Sequence, residues 1–291
     1  MIDGTATIAT AENLKSSGTT KIVPYEAGQQ TLSGSGTDGD PYRISSTADW
    51  NKFVHNVLDG NSYNSQYVKL MADIDITKCV GVYDDNAANA RPFSGTFLGN
   101  DHTITATITD NLHRGTAPFR YISGATIKNL TVAGTIASNQ YHTSGLVGFA
   151  SGTNLIENCI VTATLDISSD YAGGFVGHGL TSTTTIKGCI FSGHYNGRDI
   201  VDHYEATWDH HTVPVYRGPN NIASFWGWSD SGTPTLEDCL EKGTYTNIGS
   251  MHPMGLQGTT GTITNCYYLN AQTGSPSNVC TVSGEIGRAH V

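Results

Sequence analysis

The chain has 291 residues and a net charge of −10, with 14% charged residues and 34 glycines. Few charges and many glycines favour short strands joined by turns in one large domain. The acidity, with no Lys/Arg run interleaved with aromatics, argues against nucleic acid or an anionic membrane surface as partner, and no segment approaches the eighteen or so consecutive apolar residues of a membrane span.

Residues 1–33 carry little periodicity and read as a linker or the end of a preceding segment. They contain no basic region followed by an apolar stretch. Turn formers follow at Gly34-Ser-Gly-Thr-Asp-Gly-Asp-Pro41. Ser46 and Thr47 then precede Trp50, Phe53, Val54, Val57 and Leu58 at helical spacing, with Gly60 as a stop. This predicts one short amphipathic helix that caps the open end of a coiled solenoid. Strands are expected at Tyr67-Val-Lys-Leu70, Ile74-Asp-Ile76, Gly95-Thr-Phe97 and His102–Ile108.

From residue 127 one pattern recurs: Ile127-Lys-Asn-Leu130, Ile156-Glu-Asn-Cys159, Ile186-Lys-Gly-Cys189, Leu236-Glu-Asp-Cys239 and Ile263-Thr-Asn-Cys266, offset by 29, 30, 50 and 27 residues. Each repeat is then one supersecondary unit burying its apolar face against its neighbours. The third positions, Asn129, Asn158, Gly188, Asp238 and Asn265, are residue types that tolerate a left-handed backbone, so that column reads as a stack of tight bends. A second column aligns Phe119, Leu146, Phe175, Phe225 and Leu256, and a third aligns Ile136, Leu165, Tyr195 and Tyr245. Period-two alternation turns Leu130, Val132 and Ile136, and their counterparts in later coils, inward. Glu241 falls on an inward position, which leaves either a bulge or a slipped register there. Cys159, Cys189, Cys239 and Cys266 stack on consecutive coils about 4.8 Å apart with parallel Cβ vectors, a geometry unsuited to disulfides. They read as buried free thiols, while Cys79 and Cys280 stand outside the pattern. The last residues, Glu285-Ile-Gly-Arg-Ala-His-Val291, resemble the translation of a common sequencing adaptor and are set apart from the fold.

Gly95-Thr-Phe-Leu-Gly-Asn-Asp-His-Thr-Ile104, Gly145-Leu-Val-Gly-Phe149 and Ile156-Glu-Asn-Cys159 resemble the lead-in and the repeat of GLUG-motif domains. Gly39-Asp-Pro-Tyr-Arg-Ile-Ser45 to Asp73-Ile-Asp75 is similar to the opening segment of those domains. Such repeats occur in bacterial surface proteins, including the N-terminal regions of IgA-protease-like metallopeptidases. The resemblance spans residues 34–284. It implies an all-β, right-handed parallel β-helix on a secreted or cell-surface protein, with any signal peptide lost from a truncated N-terminus. It implies no catalytic activity, since the zinc site of those peptidases lies in a separate domain, and His-Glu-x-x-His does not occur here.

One coil carries about twenty extra residues, an inserted loop at about 196–224 that crowds together Asp199, Asp202, His203, Tyr204, Glu205, Trp208, Asp209, His210, His211, Tyr216 and Arg217. Long insertions on one solenoid face are where binding sites tend to sit. If Phe225 faces inward, Trp226 and Trp228 face outward together. With Trp208, Tyr204, Tyr216 and Arg217 they form the expected ligand-binding set, and aromatic faces of this kind suit sugar rings. His203, His210, His211 and Asp209 are the weaker metal candidates, because their spacing fits no known ligand pattern. No cofactor is expected. For an enzyme, Asp202, Glu205 and Asp209 would have to supply a carboxylate pair with Arg217 as cation. The ladder cysteines are too buried to be nucleophiles, and His178 and His194 read as surface or bend residues. The sequence thus points to a non-catalytic surface module, adhesive or spacer, binding host or dietary glycan or a surface protein. A polysaccharide-active β-helix, or the accessory region of an IgA-protease-like peptidase, is the alternative.

Overall fold

The computed structural model describes residues 28–206, 212–257, 261–268, 280–283 and 287–288. The chain forms a parallel β-solenoid of about seven turns with one short helix. Three strips of parallel strands run along it. The first stacks Tyr42–Ile44, Tyr67–Leu70, Thr96–Leu98, Thr126–Lys128, the second halves of Val147–Glu157 and Val176–Lys187, then Thr235–Glu237, Gly261–Thr264 and Cys280–Ser283. The second holds the strands that follow the Asn bends, from Ile74–Ile76 and Thr103–Thr109 through Thr131–Ser138 and Thr164–Ile167 to Tyr267–Tyr268 and Gly287–Arg288. The third holds Phe119–Ser123, the first halves of Val147–Glu157 and Val176–Lys187, Trp226–Gly232 and Gly255–Gln257.

The bend between the first two strips is the expected left-handed column: Asn129, Asn158, Gly188, Asp238 and Asn265 have φ of 52°, 53°, 60°, 54° and 51°. Each bend is tied to the next coil, because the N–H groups of Asn129, Asn158, Gly188 and Asp238 donate to the carbonyls of Glu157, Lys187, Glu237 and Thr264 at 2.9–3.0 Å. The ladder cysteines use those same carbonyls. Cys159, Cys189, Cys239 and Cys266 donate their thiols to Glu157, Lys187, Glu237 and Thr264 at 3.2–3.3 Å. Both lone pairs of each carbonyl are thereby used, which explains why a small residue with a weak donor suits the position better than Leu or Val. All four thiols are free and essentially inaccessible. Burial pushes the Cys189 thiol up, and the neighbouring thiol of Cys266, together with burial, does the same for Cys239.

The helix spans Thr47–Leu58. Ser46 caps it by accepting from the Asp49 N–H at 3.2 Å, and the Asp49 carboxylate accepts in return from the Ser45 N–H. Trp50 and Phe53 plug the first coils, Trp50 edge-on against Phe97 and Phe119 and Phe53 edge-on against Phe93 and stacked on Phe97, with ring centroids 5.3–6.1 Å apart, and Trp50 Nε1 donates to the Lys78 carbonyl. Leu58, expected on the buried face, is instead 42% exposed at the helix C-terminus, while Val57 beside it is buried.

Two column readings change. Ile136, Leu165, Tyr195 and Tyr245 do stack in register, the two tyrosines face to face at 5.8 Å. The second column is displaced: Phe119 pairs with Val147, Val176 and Trp226, while Leu146, Phe175 and Phe225 form the adjacent row, and Gly255 rather than Leu256 continues the column. Glu241 occupies neither a bulge nor a slipped register. It pairs with Phe191 and Tyr268 and points fully inward, its Oε1 accepting from the Gly243 N–H at 2.7 Å and from Tyr245 Oη at 2.5 Å. The carboxylate is retained inside because the column that ends in tyrosines gives it a donor.

Asn158 tests the bend column. Asn158→Val, which places a β-branched side chain at φ 53°, is expected to lower unfolding stability by about 1–2 kcal/mol in urea denaturation, while Asn158→Gly stays close to wild type. Equal losses for the two variants would mean that the backbone conformation is not the limiting factor.

Candidate functional site

The third strip builds a groove on its outer side. Cross-strand register places Tyr121, Phe149, His178 and Trp228 in one outward row, one per coil. Beside that row runs a second column of left-handed bends, His142, Tyr171 and Asn221, with φ of 67°, 61° and 60°. Their backbones stack through His142 N–H to the Tyr171 carbonyl and Tyr171 N–H to the Asn220 carbonyl. Between row and bends lies a groove of about 290 Å³ lined by Tyr141, His142, Tyr171, His178, Trp228 and Asp230.

Its walls are rings. Tyr171 meets Trp228 edge-on at 4.9 Å, Tyr141 lies 6.2 Å from Tyr171, and the imidazoles of His142 and His178 are 4.2 Å apart. Asp230 accepts from Trp228 Nε1 at 3.3 Å, and its Oδ1 comes within 3.1 Å of His178 Nε2 without the alignment of a hydrogen bond. His142 and His178 are only 8% and 7% exposed, and among the described residues the Nδ1 atom of each lacks a hydrogen-bond partner. Burial, then the charges of His178 and Arg114, bring His142 down to about 3; burial also lowers His178 against the opposing pull of Asp230. At one end Tyr83 stacks on Phe149 at 3.9 Å, and Arg114 sits over Tyr83 while holding Asp85 through two contacts of 2.9 and 3.0 Å. A larger depression of about 490 Å³ lies beyond the helix between Val57 and Pro92, but no aromatic ring lines it and its Arg91 is spent on the carbonyls of Ala88 and Ala90.

The inserted loop is an antiparallel hairpin, Ile200–Ala206 against Thr212–Arg217. Tyr204 and Tyr216 are 66% and 57% exposed and share one of its faces with Val201 and Pro214. Arg217 anchors the hairpin to the solenoid, donating twice to Asp170 and once to Asp202 at 2.8 Å, so it is a clasp and not a spare cation. Asp202 and Glu205 both bond His203, which raises that imidazole's pKa; Asp209, the third carboxylate of the enzyme reading, lies outside the described residues. Trp208, Asp209, His210 and His211 lie outside the described residues, and among the described residues no three His, Cys, Asp or Glu side chains form a metal-binding group.

The expected pairing of Trp226 with Trp228 fails. Trp226 is 0% exposed and belongs to the core, its ring filling the space where Gly179 has no side chain. Phe225 and Trp226 are consecutive yet both buried, because the chain rounds a corner there and the period-two alternation is interrupted. Trp228, half-buried, remains in the groove. His178 is a buried strand residue in the groove wall and not a bend, whereas His194 is a half-buried strand residue bonded to Thr244. Tyr141, His142, Tyr171 and Asp230 escaped the sequence reading. The signal for the row was present, since Phe149, His178 and Trp228 are offset by 29 and 50 residues, matching the ladder within one residue.

No protein-family model matches the chain, and comparison with curated proteins gives no match. Among solved structures it is similar to that of a putative immunoglobulin A1 protease from Bacteroides ovatus. The two share 14% identity at a TM-score of 0.50, over 88% of this chain and 86% of the other. At that identity the likeness concerns the fold.

The two buried imidazoles set an acid limb. Both stay neutral in the folded chain below the pH near 6.5 where they charge in the unfolded one, so the unfolded state binds more protons in that interval. Their contribution is complete above about pH 6.5 and declines as pH falls toward 3. Urea midpoints should therefore drop between pH 6.5 and about 4.5, above the main carboxylate range, and His142→Asn, which tolerates the same left-handed backbone, should flatten that drop. An unchanged slope would contradict a neutral, buried His142.

Proposed function

We propose that the chain is a non-catalytic β-solenoid module of the GLUG-repeat kind, on a secreted or cell-surface protein, that holds a glycan in the groove between Tyr141, Tyr171 and Trp228. The observation that carries this reading is the groove itself: three ring walls, with the imidazoles of His142 and His178 between them, each with an Nδ1 atom unpaired among the described residues. Rings present apolar faces to the C–H side of a sugar, and unpaired buried nitrogens gain most from a ligand rich in hydroxyls. The stacked coils hold these groups on strands and on hydrogen-bonded bends, so little order has to be created on binding. The hairpin presents a separate pair of exposed rings, Tyr204 and Tyr216. Similarity to the Bacteroides ovatus protein supports a second reading, in which the same module is the accessory N-terminal region of an IgA-protease-like peptidase.

Glycan-array or affinity-electrophoresis retention tests the first reading. Trp228→Ala is expected to weaken retention by about tenfold or more at unchanged fold, as for a ring at the centre of a contact. Trp226→Ala should instead cost about 3–5 kcal/mol of stability through the cavity it leaves, without a specific ligand effect. Wild-type retention by a folded Trp228→Ala variant would overturn the proposal.

A further inference from the structure

We infer that the groove selects a sugar carrying a protonated primary amine over its neutral or N-acetylated counterpart, with Asp230 as the counter-ion. This rests on the glycan reading above and narrows it to a substrate class.

Charge balance singles out Asp230. From the loop over one end of the groove come Tyr83 and Asp85; from the segment after Thr109 comes Arg114; the bends bring Tyr141, His142 and Tyr171; the strands bring His178, Trp228 and Asp230. Arg114 and Asp85 cancel through their two-point contact. Burial lowers the pKa of both imidazoles, which disfavours a charge on them. Among the described residues Asp230 is the carboxylate that lines the groove, and no Lys or Arg there touches it; its side chain is 58% exposed and meets the indole N–H and His178. A carboxylate beside ring faces attracts a cation twice, through the charge and through the ring quadrupole.

The kind of cation follows from the floor. His142 and His178 line the groove, their side chains are more than nine-tenths buried, and the Nδ1 atom of each has no hydrogen-bond partner among the described residues. A neutral imidazole nitrogen pairs with a hydroxyl in either tautomer, as donor or acceptor, and a quaternary ammonium offers neither. The groove is also open on the Tyr141 side, that ring being 48% exposed, and so admits a chain of sugar rings lying across it better than it encloses a compact head group. N-acetylation of the amine would remove the charge facing Asp230 and add bulk.

Calorimetric titration of the full chain with hexamers of glucosamine, of N-acetylglucosamine and of glucose, and with hexalysine, tests this at a mildly acidic pH that keeps the sugar amine charged. The glucosamine hexamer should bind about tenfold tighter than the acetylated one, a preference that weakens with salt. Asp230→Asn, on an exposed side chain, should bring the two within about twofold, while Trp228→Ala weakens both. Equal affinities of the wild type for charged and acetylated hexamers, or a preference that survives Asp230→Asn, would overturn the amine selectivity and leave the glycan reading standing. Hexalysine binding as tightly as the glucosamine hexamer would overturn the sugar frame in favour of a basic peptide. Binding of none of the four by a folded chain would overturn both proposals.

Discussion

The structure depends on one bend. At the end of each strand of the first strip a single residue at φ near +50° to +60° turns the chain by a fixed angle and hands its N–H to the carbonyl of the next coil. A left-handed residue costs an ordinary side chain roughly 1–2 kcal/mol, so the position is restricted to Asn, Asp or Gly, and the restriction fixes where each coil starts. Once the start is fixed, period-two alternation decides every inward and outward side chain up to the next corner. The thiols that close the remaining lone pairs make the same carbonyls fully bonded, so the bend column is a hydrogen-bonded seam along the molecule.

The groove is a second product of that register. Phe149, His178 and Trp228 come from segments 29 and 50 residues apart, yet they stand in one row because their coils begin in phase. The 20-residue surplus of one coil does not disturb the phase; it is absorbed by the hairpin, which Arg217 pins back to Asp170. The solenoid thus tolerates a long insertion where the chain leaves the stack, while His178 and Trp228 stay on regular strands. This division also separates roles, since the charged residues of the insertion are used to hold it in place.

Much of the fold was legible because it is written in residue types with strong local preferences. The Asn column, the Cys column and the stacked Ile136–Leu165–Tyr195–Tyr245 row could be read from spacing alone. The groove was not, because it lies at a corner where alternation stops: Phe225 and Trp226 are both inside, so a reading by period two put Trp226 on the surface and shifted the neighbouring column by one. His142 and Tyr171 were missed for a related reason. They occupy left-handed bends without being Asn or Gly, and only the stacked backbone around them shows why the strain is tolerated. Glu241 was rightly placed inward, but its acceptor role depends on Tyr245 four residues on, a contact that no pattern of polarity announces.

The thiol seam has a consequence for how the solenoid opens. Each Sγ is sealed beneath its own coil and bonded to a carbonyl that also receives the coil below, so an alkylating or oxidising reagent reaches it only when a whole rung lifts away. Cys159, Cys189 and Cys239 sit on successive rungs of one face. Their rates of chemical modification therefore act as clocks placed at regular heights along the stack, reporting whether the coils separate singly from an end or together as a single cooperative unit.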